Sequence, residues 1–206
     1  IDFFSNVTPL DSLDGFSKTD FVAVFTGAHG PANGLNAVLD VAKYLKVKNE
    51  CDIKFLFVGD GKEKPDLVKR SESEGLDNCI FWSPLPKTEL ARVLKTVDLG
   101  LMILKNIPAF YYGTSPNKFF DYIALGLPVL NNYPGWLAGL IQEHKCGVAV
   151  EPGDPKAFAD KLIELKNNRG ELPFMHNNAQ ILANKFNRED LAGNFVKVIE
   201  QVGGSK

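Results

Sequence analysis

Three polar residues that could bind a phosphate group lie close together in one short predicted helix. They are Asn117, Lys118 and Asp121. The first turn of a helix presents free backbone N–H groups and a partial positive charge, and a lysine placed there strengthens the attraction for an anion. The combination predicts an anion site, although a capped surface helix with ordinary polar residues explains the local pattern about as well.

Both ends of this helix are marked in the sequence. Ser115 can act as the N-cap, and Pro116 suits the first helical position, where its missing N–H costs nothing. Gly126 fits the left-handed conformation that follows a last turn, and Pro128 prevents continuation. The sequence therefore predicts a short helix that starts at the candidate anion site.

Length, charge and hydropathy exclude several classes of protein. The chain has 206 residues, 45% of them hydrophobic, which is enough for one large or two small domains. The formal net charge of −2 and the lack of long basic runs argue against a nucleic-acid partner. No apolar run approaches the roughly 20 residues of a transmembrane helix, and no signal peptide is recognised.

The cysteines and the first residues carry two further expectations. Cys51, Cys79 and Cys146 are odd in number, widely spaced and next to apolar runs, which predicts buried free thiols in a reducing compartment. Residues 1–20 are polar and without helical periodicity, and we expect them to be the remnant of an inter-domain linker. The first residue is not Met, so we expect a truncated chain with a missing upstream domain.

Short apolar runs alternate with amphipathic segments from residue 21 onward. This alternation predicts an α/β fold, a Rossmann-like parallel sheet of about six strands with helices on both faces. The predicted strands are 21–27, 53–58, 79–82, 99–104, 129–131 and 148–150. Open parallel sheets bind ligands at the carboxyl ends of their strands. The candidate loops are 27–34, 59–62, 83–86, 105–118 and 131–136.

Several of these segments, taken in order, resemble the C-terminal half of a family 4 glycosyltransferase with the GT-B fold. Residues 113–129 are similar to the family's motif of two acidic residues separated by seven others, followed by A-x-G-x-P-V. Residues 147–155, GVAVEPGDP, are similar to its G-x-x-V-x-P-x-D-P segment. The resemblance covers about 21–165, and it implies a donor-binding domain at 21–168 with C-terminal helices of the same domain at 169–206.

The resemblance assigns roles to residues of the 113–129 segment. Asp121 matches the second acidic residue, which implies a contact with the ribose of a nucleotide-sugar, whereas Gly113 stands where the first acidic residue is expected. In the family this position contacts the donor sugar, and Thr114, the next residue, is assigned to it together with Gly113. Ser115, Asn117 and Lys118 are expected to bind the diphosphate.

The first loop departs from the family in a way that bears on the diphosphate site. The family's G-R…K-G pattern stands here as Gly27-Ala28…Asn33-Gly34, so two expected cations are absent. Asn33 and Gly34 remain diphosphate candidates by position. We therefore expect Lys118 to supply the cationic contact.

Weaker candidates lie in the loops after the second and third strands. The resemblance implies that this part of the edge meets the nucleotide base, and the residues concerned are Gly59, Gly61, Ser83, Leu85 and Pro86. His29, in the first loop, could reach the sugar or diphosphate, but a lone loop histidine is more often only exposed to solvent. For Gly59 and Gly61 a merely tight turn is nearly as good an explanation.

The implied activity is transfer of a sugar from a nucleotide donor, UDP-linked by expectation, to a glycan or lipid-linked acceptor, with retention of configuration. By residues 114–118 and 32–35 the chain resembles bacterial surface-polysaccharide transferases of N-acetylated deoxyhexosamines, such as fucosamine-type transferases. The resemblance implies metal-independent catalysis by a cytoplasmic enzyme that is able to associate peripherally with the membrane. It also implies an N-terminal GT-B domain that carries the acceptor site and the catalytic residues. The isolated domain should be inactive.

Two alternatives stay open at this point. A parallel sheet also suits an NAD-dependent oxidoreductase, although Gly27-Ala28-His29-Gly30 is not the expected glycine-rich fingerprint. A non-catalytic nucleotide-binding or interaction module with the same fold is the other, because Gly113 lacks the usual carboxylate.

Overall fold

A parallel sheet forms the centre of the chain. The computed structural model describes residues 6–203, with the exception of residues 112 and 115. The strands are β1 (Phe21–Thr26), β2 (Ile53–Val58), β3 (Cys79–Trp82), β4 (Leu99–Met102), β5 (Val129–Asn131) and β6 (Gly147–Ala149). All pair in parallel, in the order β3-β2-β1-β4-β5-β6. The order reverses between β1 and β4, and this switch point is where a crevice forms at the carboxyl edge.

Helices connect the strands and cover both faces of the sheet. They are α1 (Asn36–Val47), α2 (Lys64–Ser73), α3 (Lys87–Leu94), α4 (Pro108–Tyr111), α5 (Asn117–Ala124), α6 (Trp136–His144), α7 (Pro155–Asn167), α8 (Leu172–Asn184) and α9 (Arg188–Gly203). Asp154 caps α7, since its carboxylate accepts a 2.8 Å hydrogen bond from the Ala157 N–H. The Rossmann-like α/β prediction is confirmed.

Alternate residues of the central strands supply two separate apolar cores. Every residue of β1 is buried. Val22 and Val24 pack on the side of α3, α5, α6 and α8, whereas Phe21, Ala23 and Phe25 pack on the side of α1, α2 and α7. A strand that is buried on both faces reads as a continuous apolar run, which is why β1 was recognisable in the sequence.

The structure corrects the predicted start of α5. The helix begins at Asn117, and Pro116 is extended at the N-cap position (φ −80°, ψ 126°) rather than the first helical residue. Ser115, the predicted cap, lies outside the described residues. The predicted end is confirmed, because Gly126 has a φ of 75° and a Cβ there would lie 2.3 Å from the His176 ring.

Two other local predictions were wrong. The apolar pattern after β1 predicts a helix that opens near Asn33-Gly34, but α1 begins at Asn36, because a turn forms first, with the Asn33 N–H donating to the Gly30 carbonyl at 3.0 Å. The loop predicted after β4 contains a short helix, Pro108–Tyr111.

The cysteines also differ from expectation. Cys79 and Cys146 are buried free thiols, as predicted, but Cys51 is exposed in the turn before β2. Burial raises the pKa of Cys79 to about 12 and that of Cys146 to about 11, so both stay protonated.

The residues before β1 lie against the domain. Leu13 is buried, the Phe16 ring meets Trp82 edge to face at 6.3 Å, and the Leu10 N–H donates to Thr96 Oγ1 at 2.8 Å. The described part of this segment, 6–20, contains no helix or strand. That it is a linker remnant stays a prediction. No helix among the described residues is long and apolar enough to cross a bilayer.

His29 belongs to the apolar core rather than to the solvent. It is fully buried, and its ring centroid lies 6.0 Å from that of Phe25 and 6.3 Å from those of Phe57 and Phe81. Neither ring nitrogen has a hydrogen-bond partner among the described residues. Burial, reinforced by the positive charge of Lys64, lowers the pKa of His29 to about 4, so the imidazole is neutral at pH 7.

This buried imidazole should make the domain sensitive to acid. The unfolded chain binds a proton near pH 6.5 and the folded chain only near pH 4, so folding stability is full above pH 6.5 and falls as the pH drops between these values. We expect a loss of up to roughly 3 kcal/mol in the free energy of unfolding, on 1.36 kcal/mol per unit. His29→Met should lose less stability over this interval, measured by urea unfolding at pH 7 and 4.5.

His144→Gln removes a histidine outside this cluster and serves as the matched control. If His29→Met loses as much stability as the unmodified chain and the control, His29 is not the group that senses the acid.

Candidate functional site

Tyr122 fixes α5 to the carboxyl end of β1. Its hydroxyl accepts from the Thr26 N–H at 3.1 Å and lies 3.0 Å from Thr26 Oγ1, fully buried. The ring needs the space that Gly100 leaves, because a Cβ on Gly100 would stand 2.6 Å from it. Since Tyr122 is in the same helix as Lys118 and Asp121, this anchor sets where both side chains lie.

Lys118 reaches from the first turn of α5 to the end of β1. Its Nζ lies 3.6 Å from the centroid of the Phe25 ring and 3.6 Å from the Cβ position of Gly27. No hydrogen bond or ion pair links this ammonium to another described residue, and burial lowers its pKa to about 7. The group is a desolvated cation that has an aromatic face beneath it but no acidic partner.

The loops after β1 and β2 pack backbone to backbone. The Gly27 N–H donates to the Val58 carbonyl at 2.9 Å, and the His29 N–H donates to the Asp60 carbonyl at 2.8 Å. A Cβ on Gly59 would stand 2.0 Å from the Gly27 oxygen, and one on Gly61 would stand 2.6 Å from the His29 oxygen. Contact between the loops alone therefore requires glycine at 59 and 61. Whether these two also touch a base stays a prediction.

Lys64 is a second partly buried cation at this edge. Its Nζ donates to the Gly59 carbonyl at 2.7 Å and to the Trp82 carbonyl at 2.8 Å, which ties together the ends of β2 and β3. Lys64 and Lys118 both lower the pKa of His29, so both ammonium groups lie within electrostatic range of this buried ring. Nothing in its sequence context distinguishes Lys64 from the solvated lysines of other helices.

Asn33 and Gly34 have structural roles within the first loop. Asn33 Nδ2 donates to the Ala28 carbonyl at 2.6 Å, which closes the loop on itself. A Cβ on Gly34 would lie 2.8 Å from Lys105 Cα, and the Lys105 N–H donates to the Ala32 carbonyl at 2.9 Å. The Asn33 amide nitrogen is thus already engaged, so a contact of that residue with diphosphate stays a prediction.

Asp121 faces the beginning of α3. It is half-buried, and its pKa is raised by burial, an effect that the charge of Lys87 opposes. Lys87 is the first residue of α3 and follows the predicted base loop, in which Ser83 and Pro86 are exposed. Leu85 in the same loop packs partly buried on the core. The fold therefore places Asp121 within electrostatic range of the residue that follows the base loop.

The loop that enters α5 meets the start of α6. The Trp136 Nε1–H donates to the Thr114 carbonyl at 3.0 Å. Gly113 is exposed, and a Cβ placed there would meet no described atom within 4 Å. Asn117 is exposed as the first residue of α5.

Two cavities differ in their relation to these residues. A cavity of about 220 Å³ lies at the carboxyl edge, between Gly34 of the first loop, Lys105 after β4 and Asn132 after β5. A larger one, about 440 Å³, lies at the opposite edge near Gly126 and His176, away from every candidate. Within 6–203, apart from 112 and 115, no three His, Cys, Asp or Glu side chains converge as metal ligands.

Known proteins resemble this chain in sequence and in fold. D-inositol 3-phosphate glycosyltransferase of Corynebacterium urealyticum is 27% identical over 68% of the chain and 32% of its own length. The amylovoran biosynthesis glycosyltransferase AmsK of Erwinia amylovora is 22% identical over 68% of the chain and 34% of its own length. The Anabaena protein HepE, solved with UDP, superposes with a TM-score of 0.74 at 16% identity, covering 89% of this chain and 49% of that one.

These likenesses place the chain in a family. It spans about a third of the length of these two curated relatives and half of the solved structure. The structural likeness, at its low identity, confirms the fold as that of GT-B glycosyltransferases. The model of the family described as glycosyl transferases group 1 matches residues 20–168, well over half of the sequence. The chain therefore belongs to the glycosyl transferases group 1 family.

Proposed function

We propose that this chain is the donor-binding domain of a retaining glycosyltransferase, and that its carboxyl edge holds a UDP-linked sugar. The observation that carries the proposal is the Lys118 ammonium, which is desolvated over Phe25 and has no acidic partner among the described residues. A half-buried, desolvated cation of this kind is costly unless an anion lies beside it. The diphosphate of a nucleotide-sugar is such an anion.

Lys118 would stabilise the leaving group. As the bond between sugar and diphosphate breaks, negative charge grows on the diphosphate, and a fixed cation in a partly desolvated site lowers the energy of that state. The first backbone N–H groups of α5, at Asn117 and Lys118, have no intrahelical acceptor and point the positive end of the helix toward the same region. We propose that these groups act without a metal ion.

The order of the candidate groups along the edge supports a nucleotide-sugar. The base loop, 83–86, leads into α3, whose first residue, Lys87, acts electrostatically on Asp121, whereas Lys118 lies at the end of β1. Gly113 and Thr114 follow, next to α6. Base, ribose, diphosphate and sugar occur in this order in the ligand. Several solved structures with the same fold, HepE among them, were determined with UDP.

The finer assignment concerns the sugar and the acceptor. We propose an N-acetylated deoxyhexosamine as donor sugar, and a glycan or lipid-linked acceptor in bacterial polysaccharide biosynthesis; AmsK is named for the biosynthesis of such a polysaccharide. The acceptor and the catalytic residues would belong to an N-terminal domain, and the relatives are long enough to contain one. We place the whole enzyme in the cytoplasm, at the inner face of the membrane when it meets lipid-linked acceptors.

One observation favours a second candidate, a nucleotide-binding module without catalysis. Gly113 offers no side chain where the family's first acidic residue is expected. The full-length chain should transfer sugar from a UDP-sugar if the first proposal holds and should only bind nucleotide if the second does. Membership of a glycosyltransferase family speaks against the oxidoreductase alternative.

A nucleotide screen tests the proposed ligand on this chain directly. Because a ligand that binds only the folded state raises its stability by mass action, UDP at 100 times its Kd should add about 2.7 kcal/mol to the free energy of unfolding. We expect UDP to raise Tm more than GDP or ADP, and NAD to leave it unchanged, by thermal shift. An equal or larger shift with NAD would contradict the proposal.

Replacement of Lys118 should separate binding from stability. Lys118→Met removes the charge that meets the diphosphate, so UDP affinity should fall by roughly tenfold to a hundredfold, since hydrogen bonds to charged groups contribute about 1.5–3 kcal/mol. The same change removes a desolvated ammonium, so Tm of the ligand-free chain should rise at pH 6, where the lysine is charged in both states. Calorimetry and thermal unfolding measure the two effects.

Lys48→Met is the matched control, because Lys48 also lies over an aromatic ring, 5.6 Å from the centroid of Tyr44, but at the opposite edge of the sheet. It should leave UDP affinity unchanged. Equal affinities of the Lys118 variant and the control would show that Lys118 does not bind the diphosphate.

The ribose contact predicts a preference for the 2′-hydroxyl. If Asp121 accepts from it, UDP should bind more tightly than 2′-deoxy-UDP, by roughly tenfold on the scale of charged hydrogen bonds. Asp121→Asn should reduce this ratio toward one, whereas Asp77→Asn, an exposed aspartate at the other edge of the sheet, should keep it. A ratio near one in the unmodified chain would argue against this ribose assignment.

A further inference from the structure

Trp136 holds an unusual position for a large aromatic residue at this edge. It is the first residue of α6, directly after the loop that follows β5, and 38% of its surface is exposed. Its Nε1–H donates to the Thr114 carbonyl at 3.0 Å, so the indole is fixed against the segment that leads into α5. An exposed tryptophan with a satisfied N–H presents an oriented apolar face to whatever lies beside it.

Gly113 lies next to that fixed contact, one residue before Thr114. It is exposed, and a Cβ there would meet no described atom within 4 Å. Packing among the described residues therefore does not demand a glycine at 113, unlike at Gly59 and Gly61. The missing side chain leaves open space bordered by the Thr114–Trp136 contact.

The sheet order places this space next to the diphosphate site. β5 is the neighbour of β4, which is the neighbour of β1, so the loops that hold Trp136 and Gly113 come after Lys118 along the carboxyl edge. On the proposed function, from which this inference starts, the group that follows the diphosphate in the ligand is the sugar.

We propose that the indole of Trp136 is the surface on which the donor sugar packs, and that the Trp136–Gly113 pair selects a sugar with an apolar edge. An aromatic face attracts C–H groups and methyl groups, whereas a carboxylate accepts hydrogen bonds from hydroxyls. Because Gly113 stands in place of a carboxylate and Trp136 contacts the next residue, this side of the site binds more tightly a sugar that presents a methyl group where other sugars carry a hydroxyl. Among the N-acetylated deoxyhexosamines of the proposed function, this favours those that lack the 6-hydroxyl.

Calorimetry with three ligands tests the role of Trp136. The ligands are UDP, UDP-N-acetylglucosamine and its 6-deoxy analogue. The 6-deoxy sugar should add affinity over UDP, by about threefold to tenfold, the range of aromatic contacts of about 0.5–1.5 kcal/mol. Trp136→Ala should remove this gain and leave the Kd of UDP unchanged. A gain that survives in Trp136→Ala overturns the proposal while leaving the UDP site intact.

Failure of the proposed function gives a different result. If the unmodified chain binds none of the three ligands, the donor site itself is wrong and this inference falls with it. If Trp136→Ala weakens UDP and both UDP-sugars equally, the residue supports the fold of the edge rather than the sugar, and the inference is wrong.

Gly113→Glu is the complementary variant, and the open space around residue 113 should let it fold. A carboxylate there should reduce or reverse the preference for the 6-deoxy sugar over N-acetylglucosamine. An unchanged preference in Gly113→Glu would contradict the role given to this position.

A fluorescence measurement does not depend on how well the Trp136→Ala variant folds. The chain has two tryptophans, so Trp82→Phe leaves Trp136 as the sole indole. The emission of Trp136 should change on addition of the 6-deoxy UDP-sugar beyond the change caused by UDP. Identical spectra with the two saturating ligands would overturn the proposal.

Discussion

The partial burial of one lysine ammonium, which has no acidic partner among the described residues, is the constraint around which the carboxyl edge is built. Lys118 lies over Phe25 at the end of β1, and burial alone pulls its pKa to about 7. Folding tolerates this because Tyr122, bonded to Thr26, fixes α5 under the strand. A preorganised anion site requires a cation that the core holds in place. The ammonium of Lys118 is desolvated when the chain folds, so its desolvation does not oppose ligand binding.

The rest of the edge is shaped by close contact between backbones. Gly59 and Gly61 allow the first two loops to touch, and Lys64 holds the ends of β2 and β3 through their carbonyl groups. His29 packs among Phe25, Phe57 and Phe81 as a neutral ring, within electrostatic range of both lysines. Among the described residues, Lys64 and Lys118 are positioned by carbonyl groups and by an aromatic ring rather than by carboxylates, so their charge remains available to a ligand.

Local signals predicted much of the fold and less of the site. The strands β2, β3 and β5 match their predicted bounds because each is an apolar run closed by turn residues. Lys118 and Asp121 were recognisable from their place in a short marked helix. The burial of Lys118 over Phe25 was not, because it depends on which strand α5 packs against. For the same reason the sequence did not predict the surroundings of Lys64, His29 and Trp136, because these depend on contacts with residues distant in sequence.

The most direct test of this account is a crystal structure of the chain with bound UDP. The account predicts diphosphate oxygens within hydrogen-bond distance of Lys118 Nζ, about 2.7–3.2 Å, with the ribose near Asp121 and the base at 83–86. A nucleotide bound at the opposite edge of the sheet, or phosphates that avoid Lys118 altogether, would contradict it.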